Sequence, residues 1–172
     1  MVDDAGGQVR ASRLEDQAGR PAIRLPRGAA WTTLDSAIAQ DPFVRDAVAY
    51  TGAHGAAYRP FVMVLAENVD IPARSAPRER QQCLEPTAVS GITDLVVLVN
   101  KPVDTKHGLG CLVETEYTAK GMRLRERNYS WDVPNRLGNT AVVRVMSTTL
   151  AQDWPRLGKQ IDTMMNDVTI EP

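Results

Sequence analysis

The sequence is short of the residues that build catalytic and metal centres. Its 172 residues include only two histidines, His54 and His107, and two cysteines, Cys83 and Cys111. Each histidine precedes a glycine in a predicted loop and has no HxH or HExxH neighbour, and the cysteines form no CxxC pair. We therefore expect no metal site, no cofactor and no enzymatic activity. Both histidines are interpreted as solvent-exposed loop residues.

The sequence also lacks an excess of charge of one sign and lacks any long apolar run. Its formal net charge is −1, so it carries no electrostatic signature of nucleic-acid binding. No stretch is long and apolar enough for a transmembrane helix or for the core of a signal peptide. We expect a protein without a membrane span and without a nucleic-acid partner, which is cytoplasmic as the sequence stands.

The two cysteines do not by themselves fix the redox compartment. Two free thiols are the favoured interpretation, because cytoplasmic proteins rarely keep disulfides. A disulfide between Cys83 and Cys111 is the alternative, and it would require an oxidising compartment. Residues 1–19 are polar and contain glycine, which predicts a disordered N-terminal tail. Residues 20–172 are long enough to form a single domain with its own core.

The distribution of apolar residues predicts a sheet-rich domain of the α+β class. A helical turn over 34–39 and a helix over 77–84 are expected between strands, with a loop through Pro102 and His107. The apolar run FVMVL is typical of a central strand that is covered on both faces. Outside the hairpin considered next, the predicted strands are 22–26, 46–51, 61–65, 94–100 and 140–147.

Residues 111–131 contain the clearest local pattern, two alternating runs on either side of Lys120–Gly121. This pattern predicts a β-hairpin with a two-residue turn. In that register Tyr117 pairs with Leu124 on an apolar face. A slip of one residue would turn the apolar side chains toward water, which favours this register. A bulge at Gly121 is the alternative, and it would shift the pairing.

The other face of the predicted hairpin carries charges. Glu116 faces Arg125 and Glu114 faces Arg127, and Arg123 continues the same face. Two glutamates on one face could act as an acid/base pair, but catalysis of that kind needs a perturbed carboxylate in a cleft. The matching arginines favour a charge-paired, solvated face of the sheet.

The C-terminal region predicts an amphipathic helix that is capped by Asp153. Its apolar residues recur at spacings of three and four, which places them on one stripe of the helix. The stripe comprises Trp154, Leu157, Ile161, Met164 and Val168. Packing on the sheet is the simpler explanation. The alternative is an apolar ligand pocket between helix and sheet, lined by Trp31, Trp131, Trp154, Leu157, Ile161 and Met164.

From about Pro21 to Pro172 the chain resembles the LpqN-type family of mycobacterial lipoproteins. The resemblance begins with AIRLPRGAAW, in which a short strand leads to a tryptophan, and continues through VAYTG and FVMVLAENVD. It extends through ETEYTAKGMRLRERNYSWDVP to the closing segment VVRVMSTTLAQDWPRLGKQIDTMMNDVTIEP. The similarity lies in the order and spacing of these segments.

The resemblance implies a PsbP-like α/β/α sandwich, in which a twisted antiparallel sheet carries helices on both faces. It also implies a non-enzymatic protein of the cell envelope or a secreted one, with a lipid, glycolipid or protein partner as its ligand. The sequence has no lipobox cysteine, so lipid anchoring does not carry over. The alternative function is a cytoplasmic adaptor or secretion chaperone with the same fold.

Overall fold

The structure is a computed structural model that describes residues 19–35, 40–52, 57–72, 83, 86 and 89–171. These residues are mostly antiparallel β-sheet, followed by one α-helix near the C-terminus. The elements are β1 Ala22–Arg24, β2 Trp31–Thr33, β3 Val44–Tyr50, β4 Phe61–Pro72, β5 Ile92–Thr105, β6 Gly108–Ala119, β7 Met122–Pro134, β8 Asn139–Leu150, α1 Trp154–Asn166 and β9 Thr169–Glu171.

Seven of the strands form one antiparallel sheet in the order β2-β3-β4-β8-β7-β6-β5. The long strands β4 to β8 form its centre and one edge, and the three residues of β2 form the other edge. The remaining two strands, β1 and β9, pair antiparallel as a separate two-stranded sheet. The predicted strand at 61–65 is confirmed as an interior strand, and it extends to Pro72.

The predicted β6–β7 hairpin is confirmed in its register. Glu116 lies opposite Arg125, Glu114 opposite Arg127 and Tyr117 opposite Leu124. Lys120 has φ 50° and Gly121 has φ 75°, so both turn residues adopt the left-handed backbone that two-residue hairpin turns require. The local pattern of turn and alternation was sufficient to fix this pairing.

The predicted loop through Pro102 is wrong, because β5 runs without a break from Ile92 to Thr105. The turn that follows contains only Lys106 and His107, since Thr105 pairs with Gly108. Proline lacks a backbone N–H, but a strand at the edge of a sheet has one side free of partners. Pro102 is therefore compatible with β5, which is an edge strand of the sheet.

Helix α1 covers one face of the sheet, which we call the helix face. The apolar stripe of α1 packs there, as predicted, on alternate residues of the interior strands. Asp153 occupies the N-cap position, but its side chain forms no capping hydrogen bond. The core members that join helix to sheet include Val62, Val64, Val143, Val145, Leu157, Ile161, Met164 and Val168.

Cys83 and Cys111 form a disulfide with a Cα–Cα distance of 5.6 Å, so the prediction of free thiols is wrong. The two residues are 28 positions apart, and a separation of this length contains no local signal of proximity. Side chains alternate along β6, so Cys111 points away from the helix face on which Glu114 lies. The disulfide therefore attaches Cys83 to the opposite face of the sheet.

Several predictions fall on residues outside the described ranges. These are the tail over residues 1–18, His54, most of the helix expected at 77–84, and the helical turn at 34–39 beyond residue 35. Within the described residues an α-helix covers the helix face alone. The described residues are thus more β-rich than the sequence predicted.

Candidate functional site

The candidate site is the layer between α1 and the helix face of the sheet, because all six predicted pocket residues lie there. Trp31, Trp131, Leu157, Ile161 and Met164 belong to one buried core cluster, and Trp154 packs against its border. Leu157 and Ile161 have no exposed surface. In the structure these side chains are packed against one another as core. A ligand pocket among them stays a prediction.

One end of this layer is ionic, at the N-terminal half of α1. Glu114 is only 1% exposed, and both of its carboxylate oxygens accept hydrogen bonds from arginines. Arg127 donates through Nε at 2.6 Å, and Arg125 donates through Nη2. The prediction that this face is solvated is therefore wrong at Glu114, although the predicted pairing of Glu114 with Arg127 is correct.

Helix α1 provides the cover that removes these charges from water. The indole ring of Trp154 lies over the guanidinium groups of Arg125 and Arg127, at 4.6 and 4.7 Å from the ring centroid. Arg127 also forms an ion pair with Asp162, one helical turn beyond Gly158. Burial by itself would lower the pKa of Arg127, but the hydrogen bonds and the charge attraction of Asp162 and Glu114 together outweigh burial and raise that pKa.

Gly158 makes room for Trp154 on the helix surface. A Cβ atom at this position would lie 2.9 Å from Cε2 and 3.0 Å from Nε1 of the Trp154 indole. Glycine is unfavourable inside a helix by about 1 kcal/mol relative to alanine. Glycine therefore lowers the helix propensity at residue 158 but lets the indole of Trp154 lie close to the helix, where it reaches Arg125 and Arg127.

The other end of the layer is closed by the β5–β6 turn, at the C-terminal end of α1. The ring of His107 stacks on Trp131 with a centroid distance of 5.2 Å and an interplanar angle of 12°. Its Nε2 lies 3.1 Å from the carbonyl oxygen of Val168, just after the helix. Burial lowers the pKa of His107, although the hydrogen bond to Val168 acts in the opposite direction. His107 is thus a half-buried packing residue, and the prediction of an exposed loop histidine is wrong.

A shallow depression lies beside this stack. Its enclosed space is about that of one water molecule, which is too little for a small-molecule ligand without movement of the side chains around it. Trp131 is the only predicted pocket residue that lines it. The lining comprises Thr105, Lys106, His107, Tyr129, Trp131, Met165 and Asn166.

Further titratable groups are perturbed on the opposite face of the sheet. The Tyr117 hydroxyl donates a hydrogen bond to Glu126 at 3.0 Å, and burial raises the pKa of Tyr117. Burial also raises the pKa of Tyr58 to about 12. These phenols remain protonated donors at neutral pH, so they hold structure and do not transfer protons near pH 7.

The described part of the chain contains no group of three or more histidine, cysteine, aspartate or glutamate side chains that could hold a metal ion. Over the same residues, no helix is both long and apolar enough to cross a membrane.

The charged groups of the helix face are engaged with one another and hold α1 on the sheet. Sequence patterns did not reveal that Trp154 covers Arg125 and Arg127, because these contacts join α1 to β7 and therefore leave no periodic signal within one segment.

No protein family and no curated protein matches this sequence. The fold, in contrast, is similar to solved structures. The crystal structure of LpqN, involved in cell envelope biogenesis of Mycobacterium tuberculosis, matches with a TM-score of 0.62 at 15% identity, over 91% of this chain and 87% of LpqN. The cyanobacterial PsbP protein CyanoP of Synechocystis sp. PCC 6803 matches with a TM-score of 0.53 at 13% identity, over 87% of this chain and 86% of CyanoP. The chain therefore has a PsbP-like fold.

Proposed function

We propose that this protein is a non-catalytic binding protein of the cell envelope, which acts outside the cytoplasm and binds an amphipathic ligand, a lipid or glycolipid, at the α1 layer. The observation that carries the proposal is the Cys83–Cys111 disulfide within a PsbP-like fold. The second layer of helices expected for an α/β/α sandwich is part of the same proposal.

The disulfide bears on the compartment in which the protein folds. Disulfides persist in oxidising environments such as the bacterial periplasm, and they are rare in the cytoplasm, where thiols are kept reduced. Both cysteines of the sequence are used in this bond, and they join a segment before β5 to strand β6, which lies next to the β5 edge of the sheet. This arrangement supports the envelope over the cytoplasmic adaptor that the sequence left open.

The fold likeness supports the same compartment. LpqN is described as involved in cell envelope biogenesis, and its structure aligns with nine-tenths of this chain. Among the described residues, the depression beside His107 holds about one water molecule and no group of side chains could bind a metal ion, which supports binding over catalysis. For the ligand, support comes from the composition of the α1 layer, which joins two tryptophans on the sheet with an apolar helix stripe.

Such a ligand must compete with side chains that are already packed. Leu157 and Ile161 are fully buried between helix and sheet. Entry of an acyl chain would therefore require α1 to move outward from one end. The C-terminal end is held by the hydrogen bond between His107 and Val168 and by β9, which pairs with β1 directly after the helix. The N-terminal half is held by the contacts of Trp154 and Asp162 with Arg125 and Arg127.

Two measurements test the proposal. Cells of the native host are treated with a membrane-permeant alkylating agent before lysis and are then fractionated. We expect the protein in the envelope or secreted fraction, with both cysteines protected from alkylation. Recovery in the cytoplasm with alkylated cysteines would contradict the proposed compartment.

Native mass spectrometry of the protein from a lipid-rich host tests the ligand. We expect a co-purifying lipid whose occupancy falls when Ile161 is replaced by glutamine, because a polar group then faces the acyl chain. Lys159→Gln is the matched control on the exposed side of the same helix, and it should leave occupancy unchanged. A wild-type protein without lipid, or equal loss in both variants, would refute binding at this layer.

A further inference from the structure

Strand β5 is an edge of the seven-stranded sheet, and it exposes an unusual apolar run. Val96, Val97 and Leu98 are 47%, 46% and 41% exposed, although they are consecutive residues in the middle of a 14-residue strand. No described strand pairs with the free side of β5. Edge strands of this length with apolar side chains are a recognised site of association with other chains.

The charges around this run are arranged symmetrically. Asp94 and Lys101 lie at equal sequence distances on either side of the midpoint between Val97 and Leu98. Neither side chain takes part in a salt bridge within the described part of the chain. When two copies of such a strand meet antiparallel about a two-fold axis, each residue faces the residue of the other copy that lies at the same distance on the other side of the midpoint. Each Asp94 is then brought toward the Lys101 of the other copy.

From this self-complementarity we propose that the β5 edge is a homodimer interface, with its two-fold axis between Val97 and Leu98. The apolar residues of both copies meet at the axis, and two Asp94–Lys101 pairs flank them. The occupant is therefore a second copy of this chain. This inference is independent of the ligand and of the compartment proposed above.

The geometry of β5 limits the contact to this central part. The pairing of β5 with β6 shifts register between Thr93 and Val96 and again between Val97 and Val99. Bulges of this kind interrupt a strand ladder, and Pro102 can donate no backbone hydrogen bond. Two copies therefore cannot join their sheets along the full strand. Side chains of residues 94–101 carry the contact.

A contact of this kind is small. It uses one strand segment per copy, whereas stable interfaces use roughly 20–30 residues per side. We therefore expect a reversible dimer that forms only at high protein concentration, on the order of 100 µM and above. Because a two-fold contact closes on itself, association should stop at two copies.

Sedimentation velocity over a range of protein concentrations tests the dimer. We expect a monomer–dimer equilibrium in the wild type and a loss of dimer affinity of about ten-fold or more in Val97→Lys, which places two ammonium groups at the axis. Leu137→Lys is the matched control, because Leu137 is 63% exposed in the turn between β7 and β8. Its dimer affinity should equal that of the wild type. Circular dichroism checks that both variants keep the fold.

Charge reversal tests the predicted pairs. Lys101→Asp should weaken the dimer about ten-fold, because like charges then meet at both ends of the contact. Adding Asp94→Lys should restore affinity by exchanging the two charges. Asp94 has φ 52°, a backbone that Lys120 of this chain also adopts at φ 50°, so lysine is tolerated there. In hydrogen exchange, protection that rises with concentration should be confined to β5.

The proposal is overturned if the wild type stays monomeric at about 1 mM, or if association continues beyond two copies. It is also overturned if Leu137→Lys weakens the dimer as much as Val97→Lys, because another surface would then be responsible. A monomer that binds phosphatidylglycerol vesicles through Val97 would reject the second copy in favour of a lipid surface. Failure of Asp94→Lys to rescue Lys101→Asp would refute the assigned register.

Discussion

Removal of the Cys83–Cys111 disulfide gives a prediction whose magnitude follows directly from the length of the loop that the bond closes. The bond closes a loop of 28 residues between the segment before β5 and strand β6. A cross-link of this span lowers the conformational entropy of the unfolded chain, which corresponds to about 3.6 kcal/mol at 25 °C in the loop-closure expression. The folded state keeps its sheet contacts when the bond is cut. We therefore expect most of this stabilisation to be lost on reduction.

Urea unfolding of the oxidised and reduced protein measures the effect. The difference in unfolding free energy should be about 3.6 kcal/mol, which corresponds to a fall in Tm of about 7–14 °C for a chain of this size. The m-value, which is the slope of unfolding free energy against urea concentration, should also be smaller for the oxidised protein. The reason is that its cross-linked unfolded state exposes less surface. A double variant, Cys83→Ala with Cys111→Ala, should match the reduced wild type.

Two outcomes would refute this reasoning. If the unfolding free energies of oxidised and reduced protein differ by less than about 0.5 kcal/mol, the entropy that the cross-link removes from the unfolded chain is offset by another effect, and the bond adds no net stability. If the double variant is much less stable than the reduced wild type, the effect belongs to the packing of the cysteine side chains. In either case the disulfide would not have the structural role given to it here.

Three further predictions concern the two ends of α1. Glu114→Ala should cost about 3–5 kcal/mol in urea unfolding, because it leaves the arginines beneath the helix without their buried carboxylate; a cost below about 1 kcal/mol would mean that water reaches them. Gly158→Ala should fail to deliver its usual gain of about 1 kcal/mol and should lower Tm, since the new methyl displaces the Trp154 ring, whose fluorescence reports the shift. A higher Tm with unchanged fluorescence would contradict the packing assigned to that ring. His107 has a pKa lowered by burial, so the unfolded chain binds its proton more readily and stability should fall as the pH drops below about 6.5. His107→Phe keeps a ring at this place and should remove that part of the pH dependence in Tm measurements, and an unchanged pH profile would refute it.

The sequence predicted the parts of this protein in which neighbouring residues decide the structure. The β6–β7 hairpin is an example, because its turn residues and its alternation of charged and apolar side chains favoured the register that the structure shows. The stripe of α1 was predicted equally well, since a helix repeats its face every three to four residues. Both patterns are periodic and local, so each can be read within a window of about twenty residues.

The errors have a common physical origin in contacts between distant segments. Glu114 was expected in solvent, because its arginine partners are local but the indole that covers them lies in another element. His107 was expected in solvent for the same reason, as Trp131 and Val168 are remote in sequence. Pro102 was expected to end a strand, and only the position of β5 at the sheet edge explains its place within one.

By itself the sequence determined an antiparallel sheet, its best-defined hairpin and an amphipathic helix, because hydrogen bonding and side-chain alternation are periodic. It did not determine that Cys83 meets Cys111, nor that α1 covers a buried charge network. Those results depend on which faces of the elements meet, and the meeting is set by packing of the whole chain. The tertiary structure therefore decided the disulfide, and with it the compartment in which the protein is proposed to act.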